Sequence, residues 1–360
     1  MTRLAAITLT RQGVDVCRRI QNSRPECEVF VARKYDAEAP SHWRRFEGGL
    51  APLVKEIFGA YDGLIFVMAT GIVVRTIAPY IVDKRFDPGI VVIDITGRFA
   101  ISLCAGHLGG ANQLARELGE VLGAIPVVTT GTDVNQTLAP DMLAKELGAE
   151  IENWEALKVV SGMLVDGERV AIFAEPNVRM PNLEPFAAKG VTRIASLGEL
   201  EDRFRAAVIV SHRILAAQMP AKIPTLWVRP KSLVVGVGCD RGTAIEEIEQ
   251  AFETVLRDHG LSALSVRNLA TYILKKDEPG LCAFAQKRGL ALVAYEREEI
   301  NRVEHLIPSP SPMVLKHTGV LGVAEPAAML SAGASAVLVP KCKCGRVTLA
   351  VALVHEVNAA

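Results

Sequence analysis

The chain has 360 residues, half of them hydrophobic, and 40 Lys plus Arg balance 40 Asp plus Glu. That length exceeds one ordinary core and asks for two or three domains, at roughly 100–200 residues each. The neutral balance excludes bulk attraction to nucleic acid or to an anionic membrane, so an anionic ligand must be held by local basic clusters.

The elements alternate from the start. AAITLT (Ala5–Thr10) reads as a strand and is followed by a short helix from Gly13 to Ile20. Cys27–Ala32 is a second strand, and GGLAPLVKEIFGAYD is a helix with Leu50, Leu53, Val54 and Ile57 on one face. Gly63–Ala69 is apolar throughout, as in a buried parallel strand. Thr70-Gly71 then opens a helix through TGIVVRTIAPYIV. GIVVIDI and FAISLC are strands joined at Thr96-Gly97, and AIPVVTT is another strand. This succession predicts a layered α/β N-terminal domain, residues 1–134.

Residues 135–230 read as a smaller, looser α/β domain. NQTLAPDMLAKELG and NWEALKVVSGML are helices, ERVAIFAE, AAVIVS and TLWVRP are strands, and PNVRMPNLEPFAAKG is a loop. Residues 231–360 read as a C-terminal α/β domain. A buried strand and a glycine loop lead into a long helix with Ile245, Ile248, Phe252 and Val255 inward. LCAFAQKRG and REEINRVEHL are helices, Pro308–Pro312 is a local loop, and SAVLVP and VTLAVALV are closing strands. No apolar run reaches the ~18 residues of a spanning helix. The N-terminus lacks the apolar core and cleavage site of a signal peptide. The seven irregularly spaced cysteines therefore read as reduced thiols of a cytoplasmic protein.

Four stretches carry candidate chemistry. In SLCAGHLGGANQLARELG, Gly106, His107, Gly109, Gly110 and Asn112 lie where a strand gives way to a helix with Leu114, Leu118, Val121 and Leu122 buried. Open N–H groups at a helix start favour an anion or a developing oxyanion, and His107 suits proton transfer near neutral pH. The plain alternative is a tight turn with a capping histidine. In the second stretch Thr70-Gly71 opens a helix with Arg75 one turn in, and Asp83, Lys84, Arg85 and Asp87 cluster before Pro88-Gly89. The basic pair could grip carboxylates, Arg85 bidentately; a solvated helix end is the alternative.

GVGCDRGT, with Gly238, Arg241, Gly242 and Thr243, is a glycine loop at a helix start. Its third glycine comes one residue late for a dinucleotide fingerprint, and no Gly-Lys-Ser/Thr follows. Glu325 precedes Pro326 at a helix start, and Lys341 and Lys343 interleave with Cys342 and Cys344. A C-x-C without a second pair is a poor zinc site, so no metal site is expected. Together the loops describe an α/β protein with several anion cradles, suited to a large polyanionic small molecule.

The chain resembles the CbiG family, the cobalt-precorrin-5A hydrolases of anaerobic cobalamin synthesis. The resemblance runs through MATGIVVRTIAPYIVDKRFDPGIVVID, AGHLGGANQLARELG, PVVTTGTD, GVGCDRGT, LKKDEPGL, TGVLGVAEPAAML and VTLAVAL, and is weaker between Asn135 and Pro230. It implies a contracted tetrapyrrole substrate that carries its own cobalt, so no cofactor of the protein is expected. Water would open a δ-lactone, and the extruded two-carbon unit would leave as acetaldehyde, giving cobalt-precorrin-5B. The partners expected are this substrate and possible other enzymes of the pathway, with no nucleic acid, no membrane and a homodimer as the default.

On that reading His107 handles the proton, with Asp83, Asp133 or Glu325 as alternative bases. N–H groups near Gly109 and Gly110 would stabilise the oxyanion. Arg75, Lys84, Arg85, Arg241, Lys341 and Lys343 would hold carboxylates, joined by Thr129, Thr130 and Asp133, in a cleft between the N- and C-terminal domains. Ala105 stands where the family commonly has Ser, which argues against an acyl-serine, and Ile95 stands where Glu is common after Asp94. The rival readings are a non-catalytic corrinoid carrier and a nucleotide-dependent α/β enzyme.

Overall fold

The computed structural model describes residues 3–220, 223–308, 310, 315 and 319–357. The chain forms two compact units, Met1–Thr137 and Leu138–Ala360.

The first unit is a seven-stranded sheet between helices. Strand β1 (Leu4–Thr8) leads to α1 (Arg11–Ser23), whose cap is Thr10: its hydroxyl accepts the Gly13 N–H at 3.1 Å. Then follow β2 (Glu28–Ala32), β3 (Arg44–Phe46), α2 (Leu50–Ile57), β4 (Gly63–Val67) and α3 (Thr70–Ile77). The unit closes with β5 (Gly89–Ile93), β6 (Phe99–Cys104), α4 (Ala111–Leu122), β7 (Ile125–Val127) and the single turn α5 (Gly131–Val134). Strand order is β3-β2-β1-β4-β5-β6-β7. β1, β4 and β5 are buried along their whole length, as strands covered on both faces must be. Ala6, Ile65, Val67 and Val91 face a core with α1 and α4, while Ile7, Leu64, Phe66 and Val92 face one with α2 and α3.

One reversal positions the site. β5 pairs with β6 antiparallel, and β7 then runs parallel to β6. The turn between β5 and β6 is built on Asp94, whose carboxylate accepts the N–H groups of Thr96, Arg98 and Phe99, with Gly97 at φ 72°. Burial raises the Asp94 carboxyl, but a hydrogen bond from the Thr96 hydroxyl together with these backbone donors outweighs it and holds it below the usual carboxylate range. As a result β6 and β7 finish at the end of the sheet where β5 starts, opposite to where β1 and β4 finish.

The second unit holds two five-stranded sheets. α6 (Pro140–Glu146), β8 (Glu150–Ile151), α7 (Trp154–Val165), β9 (Val170–Ala174), β10 (Val191–Ile194), β11 (Ala206–Val210) and β12 (Thr225–Arg229) build one, in the order β10-β9-β11-β12-β8. The other has the order β15-β14-β13-β17-β16. Its elements are β13 (Leu233–Cys239), α8 (Ile245–Asp258), β14 (Val266–Tyr272), α9 (Pro279–Arg288), β15 (Ala291–Tyr295), α10 (Arg297–Arg302), α11 (Ala324–Ala332), β16 (Val339–Cys344) and β17 (Val347–Leu353).

Several expectations are corrected. The helix expected from Gly13 to Ile20 begins two residues earlier and runs on to Ser23. The one expected through Val82 ends at Ile77, after which Pro79 and a turn break it. The strand expected over SAVLVP starts only at Val339, and the REEINRVEHL helix stops at Arg302. Strands β3, β8, β10, β14 and β15 were not expected at all. Of the Pro308–Pro312 run only Pro308 and Pro310 lie within the described residues. All seven cysteines are free thiols, and among the described residues no helix is long and apolar enough to cross a membrane.

Candidate active site

The loop between β6 and α4 folds tightly on itself. Ala105 adopts φ 53°, the left-handed region that L residues avoid, and Gly110 sits at φ 81° before the first helical residue. The Gly110 N–H donates to the His107 carbonyl at 3.0 Å, Ala111 N–H to Ala105 at 3.3 Å, and Asn112 N–H to Gly106 at 3.0 Å. This corrects the expectation of open donors for the Gly110, Ala111 and Asn112 N–H groups. The oxyanion donor assigned to Gly110 is already engaged, because the loop closes its own turns.

The loop is also wedged against β5. A Cβ built on Gly89 would stand 2.3 Å from the Gly109 carbonyl oxygen, so only glycine allows the two backbones to approach this closely.

His107 meets residues delivered by the next crossover. β7 returns the chain to the same end of the sheet, where Thr130 precedes α5 and Asp133 projects from it. His107 Nε2 lies 2.8 Å from Asp133 Oδ2 and 3.1 Å from the Thr132 hydroxyl. Asn112, 4% exposed, donates from Nδ2 to the same Asp133 oxygen at 2.9 Å and to the Thr130 hydroxyl at 3.0 Å. Its Oδ1 accepts from the Ser102 hydroxyl at 2.7 Å. Arg116 pairs with Asp133 Oδ1. Burial raises the Asp133 carboxyl, but hydrogen bonds and charge from Arg116 and His107 outweigh it and hold it below the usual carboxylate range. The His107 and Asp133 side chains are 15% and 19% exposed, sheltered yet reachable, while Arg116 is half exposed.

An ionised carboxylate accepting from Nε2 leaves the basic lone pair of neutral imidazole on Nδ1 and stabilises the imidazolium when a proton arrives. The arrangement can therefore hold an imidazole oriented for proton transfer. Sequence reading included His107, Asn112, Thr130 and Asp133. It missed Ser102, Arg116 and Thr132. Arg116 was within reach, since it follows Asn112 by four residues and shares its helix face.

The other candidates are distributed as follows. Asp83, Lys84, Arg85 and Asp87 lie just before β5, at the same end of the sheet as His107. Thr70 and Gly71 follow β4 and lie at the opposite end; the Arg75 guanidinium curls back onto the Gly71 carbonyl at 3.1 Å. Arg85 does not stand ready for an external carboxylate as an isolated fork, because Asp83 takes its Nε and Nη2 at 2.9 and 2.8 Å. The same contacts hold the Asp83 carboxyl below its ordinary range and make it a loop staple. Thr129 is exposed beyond β7.

In the second unit the glycine loop after β13 supplies its own anion. Gly242 N–H donates to the buried Glu278 carboxylate at 3.0 Å, and the Thr243 hydroxyl donates to the Asp240 carbonyl at 2.8 Å. Gly238 lies in β13 against Val323, and the Arg241 carbonyl accepts from Arg346. Glu325 is 2% exposed and accepts the Lys341 N–H at 3.0 Å, which is a structural bond. Lys341 and Lys343 are exposed on the edge strand β16, a placement that guards an open edge. Among the described residues no group of three or more His, Cys, Asp or Glu side chains could hold a metal ion.

Comparison with known proteins defines the class. Three family models match in succession: Cobalamin synthesis G N-terminal over residues 52–133, Cobalamin biosynthesis central region over 138–230, and Cobalamin synthesis G C-terminus over 233–352. The matches thus mark a protein of cobalamin synthesis. Cobalt-precorrin-5A hydrolase of Priestia megaterium is 38% identical over 97% of this chain and 94% of its own. That of Salmonella typhimurium is 36% identical over 91% of each. A crystal structure of a cobalamin biosynthesis protein G homologue from Sulfolobus solfataricus is 22% identical, covering 98% of this chain and 97% of that one at a TM-score of 0.37. The chain belongs to the CbiG family.

Proposed function

We propose that the protein is a cobalt-precorrin-5A hydrolase whose proton-transfer centre is the His107–Asp133 pair. The observation that carries the centre is the 2.8 Å contact of His107 Nε2 with a carboxylate fixed on its far side by Arg116. Relatives alike over nearly the whole chain bear that enzyme's name.

The chemistry needs one base that can also act as an acid. His107 removes a proton from water, and the resulting hydroxide adds to the lactone carbonyl. Collapse breaks the lactone C–O bond, and the imidazolium returns the proton to the departing alkoxide. The products of this step are a carboxylic acid, which releases its proton to solvent as the carboxylate, and a secondary alcohol. Removal of the alcohol proton then breaks the bond from that carbon to the macrocycle. The two-carbon unit leaves as acetaldehyde, and the electron pair passes to the macrocycle, which takes up a proton. Asp133 keeps the imidazole oriented and favours its charged form. Cobalt arrives within the substrate, and the protein contributes no metal or organic cofactor of its own. Seven free thiols suit a reducing, cytoplasmic setting.

The test is stoichiometric. Anaerobic incubation with cobalt-precorrin-5A is expected to release one acetaldehyde per macrocycle converted. Tight binding with no acetaldehyde would refute the hydrolase and leave a carrier.

A further inference from the structure

The segment between α3 and β5 exposes three apolar side chains within six residues: Ile81 at 43%, Val82 at 84% and Phe86 at 78%. A single exposed apolar residue is ordinary. This group is unusual because the backbone beneath it is stapled. The Asp83 carbonyl accepts the N–H groups of Phe86 and Asp87, both at 2.9 Å. The Asp83 carboxylate accepts the Arg85 N–H and side chain, and the Asp87 carboxylate accepts the Val82 N–H at 3.1 and 3.3 Å. Both acids are thus turned onto the loop's own donors. The loop presents Val82, Lys84 and Phe86 outward, with the Arg85 guanidinium 5.2 Å from the Phe86 ring centroid.

The position is as informative as the composition. Three residues after Phe86 the chain reaches Gly89, the residue in backbone contact with Gly109 of the histidine loop. Ile90 then pairs with Cys104, three residues before His107. The exposed apolar patch and the His107–Asp133 pair therefore belong to neighbouring loops at one end of one sheet.

A contracted tetrapyrrole has two broad apolar faces and a rim of carboxylates. A flat aromatic ring beside a branched aliphatic complements one face, and the Lys84 ammonium beside them suits the adjoining rim. We propose that Val82 and Phe86 form the platform on which the macrocycle lies while its lactone faces the histidine loop. This rests on the hydrolase reading and adds to it two residues that determine substrate affinity.

The test compares wild type, the Val82→Ser/Phe86→Ser double variant and Phe86→Trp. Both replaced side chains are exposed, so the melting temperature is expected to hold. With cobalt-precorrin-5A the double variant is expected to raise KM about tenfold with kcat within twofold, the pattern of lost ground-state binding. Phe86→Trp keeps an aromatic face and is expected to stay within threefold of wild type. A parallel absorbance titration with cobalt-precorrin-5A reads affinity directly, with about tenfold weaker binding expected in the double variant. Because binding is read separately from turnover, an inactive wild type would refute the hydrolase reading without deciding the platform. Unchanged affinity in the double variant would overturn the platform. Unchanged affinity together with loss of a dimer by light scattering would overturn it in favour of a second copy of the chain.

Discussion

Replacing Gly89 with alanine tests how tightly the histidine loop is wedged against the sheet. The new Cβ would stand 2.3 Å from the Gly109 oxygen and 3.0 Å from the Ala111 nitrogen, both backbone atoms that no rotamer change can move. Relieving the closer contact to about 3.2 Å requires a shift of nearly 1 Å, on the scale of overpacking that costs about 1–3 kcal/mol. β5 is buried along its whole length and paired on both sides, so the loop must yield. A displacement of about 1 Å in a catalytic group can cost about a hundredfold in rate. Gly89→Ala should therefore lower the melting temperature and reduce acetaldehyde release by one to two orders of magnitude, as read by calorimetry and aldehyde trapping. Gly59→Ala is the control, since a Cβ there meets nothing within 4 Å. If both variants melted and turned over alike, the wedge would be refuted.

Three further outcomes follow from particular contacts. Asp133 lies below its ordinary value of 3.8, so its stabilising contribution is complete at neutral pH and is lost as pH falls through the depressed pKa. Arg116→Met removes the principal partner, so acid unfolding followed by circular dichroism should move to higher pH; an unchanged midpoint would contradict the assignment. Glu278→Ala leaves the Gly242 N–H without its carboxylate and should cost about 1–3 kcal/mol, seen as a lower melting temperature. Gly162→Ala adds a methyl to the exposed face of α7 where nothing lies within 4 Å, and should stabilise by about 0.5–1 kcal/mol. A lower melting temperature there would show that the face is covered.

How much was legible in the sequence depended on how directly each residue states its environment. β4 and β5 are unbroken apolar runs, and α4 is bounded by Gly110 and Gly123, both at positive φ, so all three could be read locally. β14 was hidden by polar residues that the fold satisfies from elsewhere. Thr271 donates to the Val237 carbonyl at 2.7 Å, and Asn268 to the Ser331 hydroxyl at 2.9 Å. β3 carries two arginines because it is an edge strand, with Arg44 paired to Glu28. In the site, the glycine-histidine loop announced itself, but its N–H groups looked open only because the turns that consume them are not visible in a one-dimensional string. Thr132 joins His107 across 25 residues through the β7 return, a tertiary encounter with no local signature. The antiparallel turn of β6 likewise decides that the Thr70 and His107 loops lie at opposite ends of the sheet.

The most direct measurement is single-turnover acetaldehyde release from cobalt-precorrin-5A by wild type, His107→Ala and Asp133→Asn. The account predicts a loss of about a hundredfold or more for His107→Ala, a smaller loss for Asp133→Asn, and substrate affinity close to wild type in both. Full-rate release by His107→Ala would contradict it and place the proton transfer on another group.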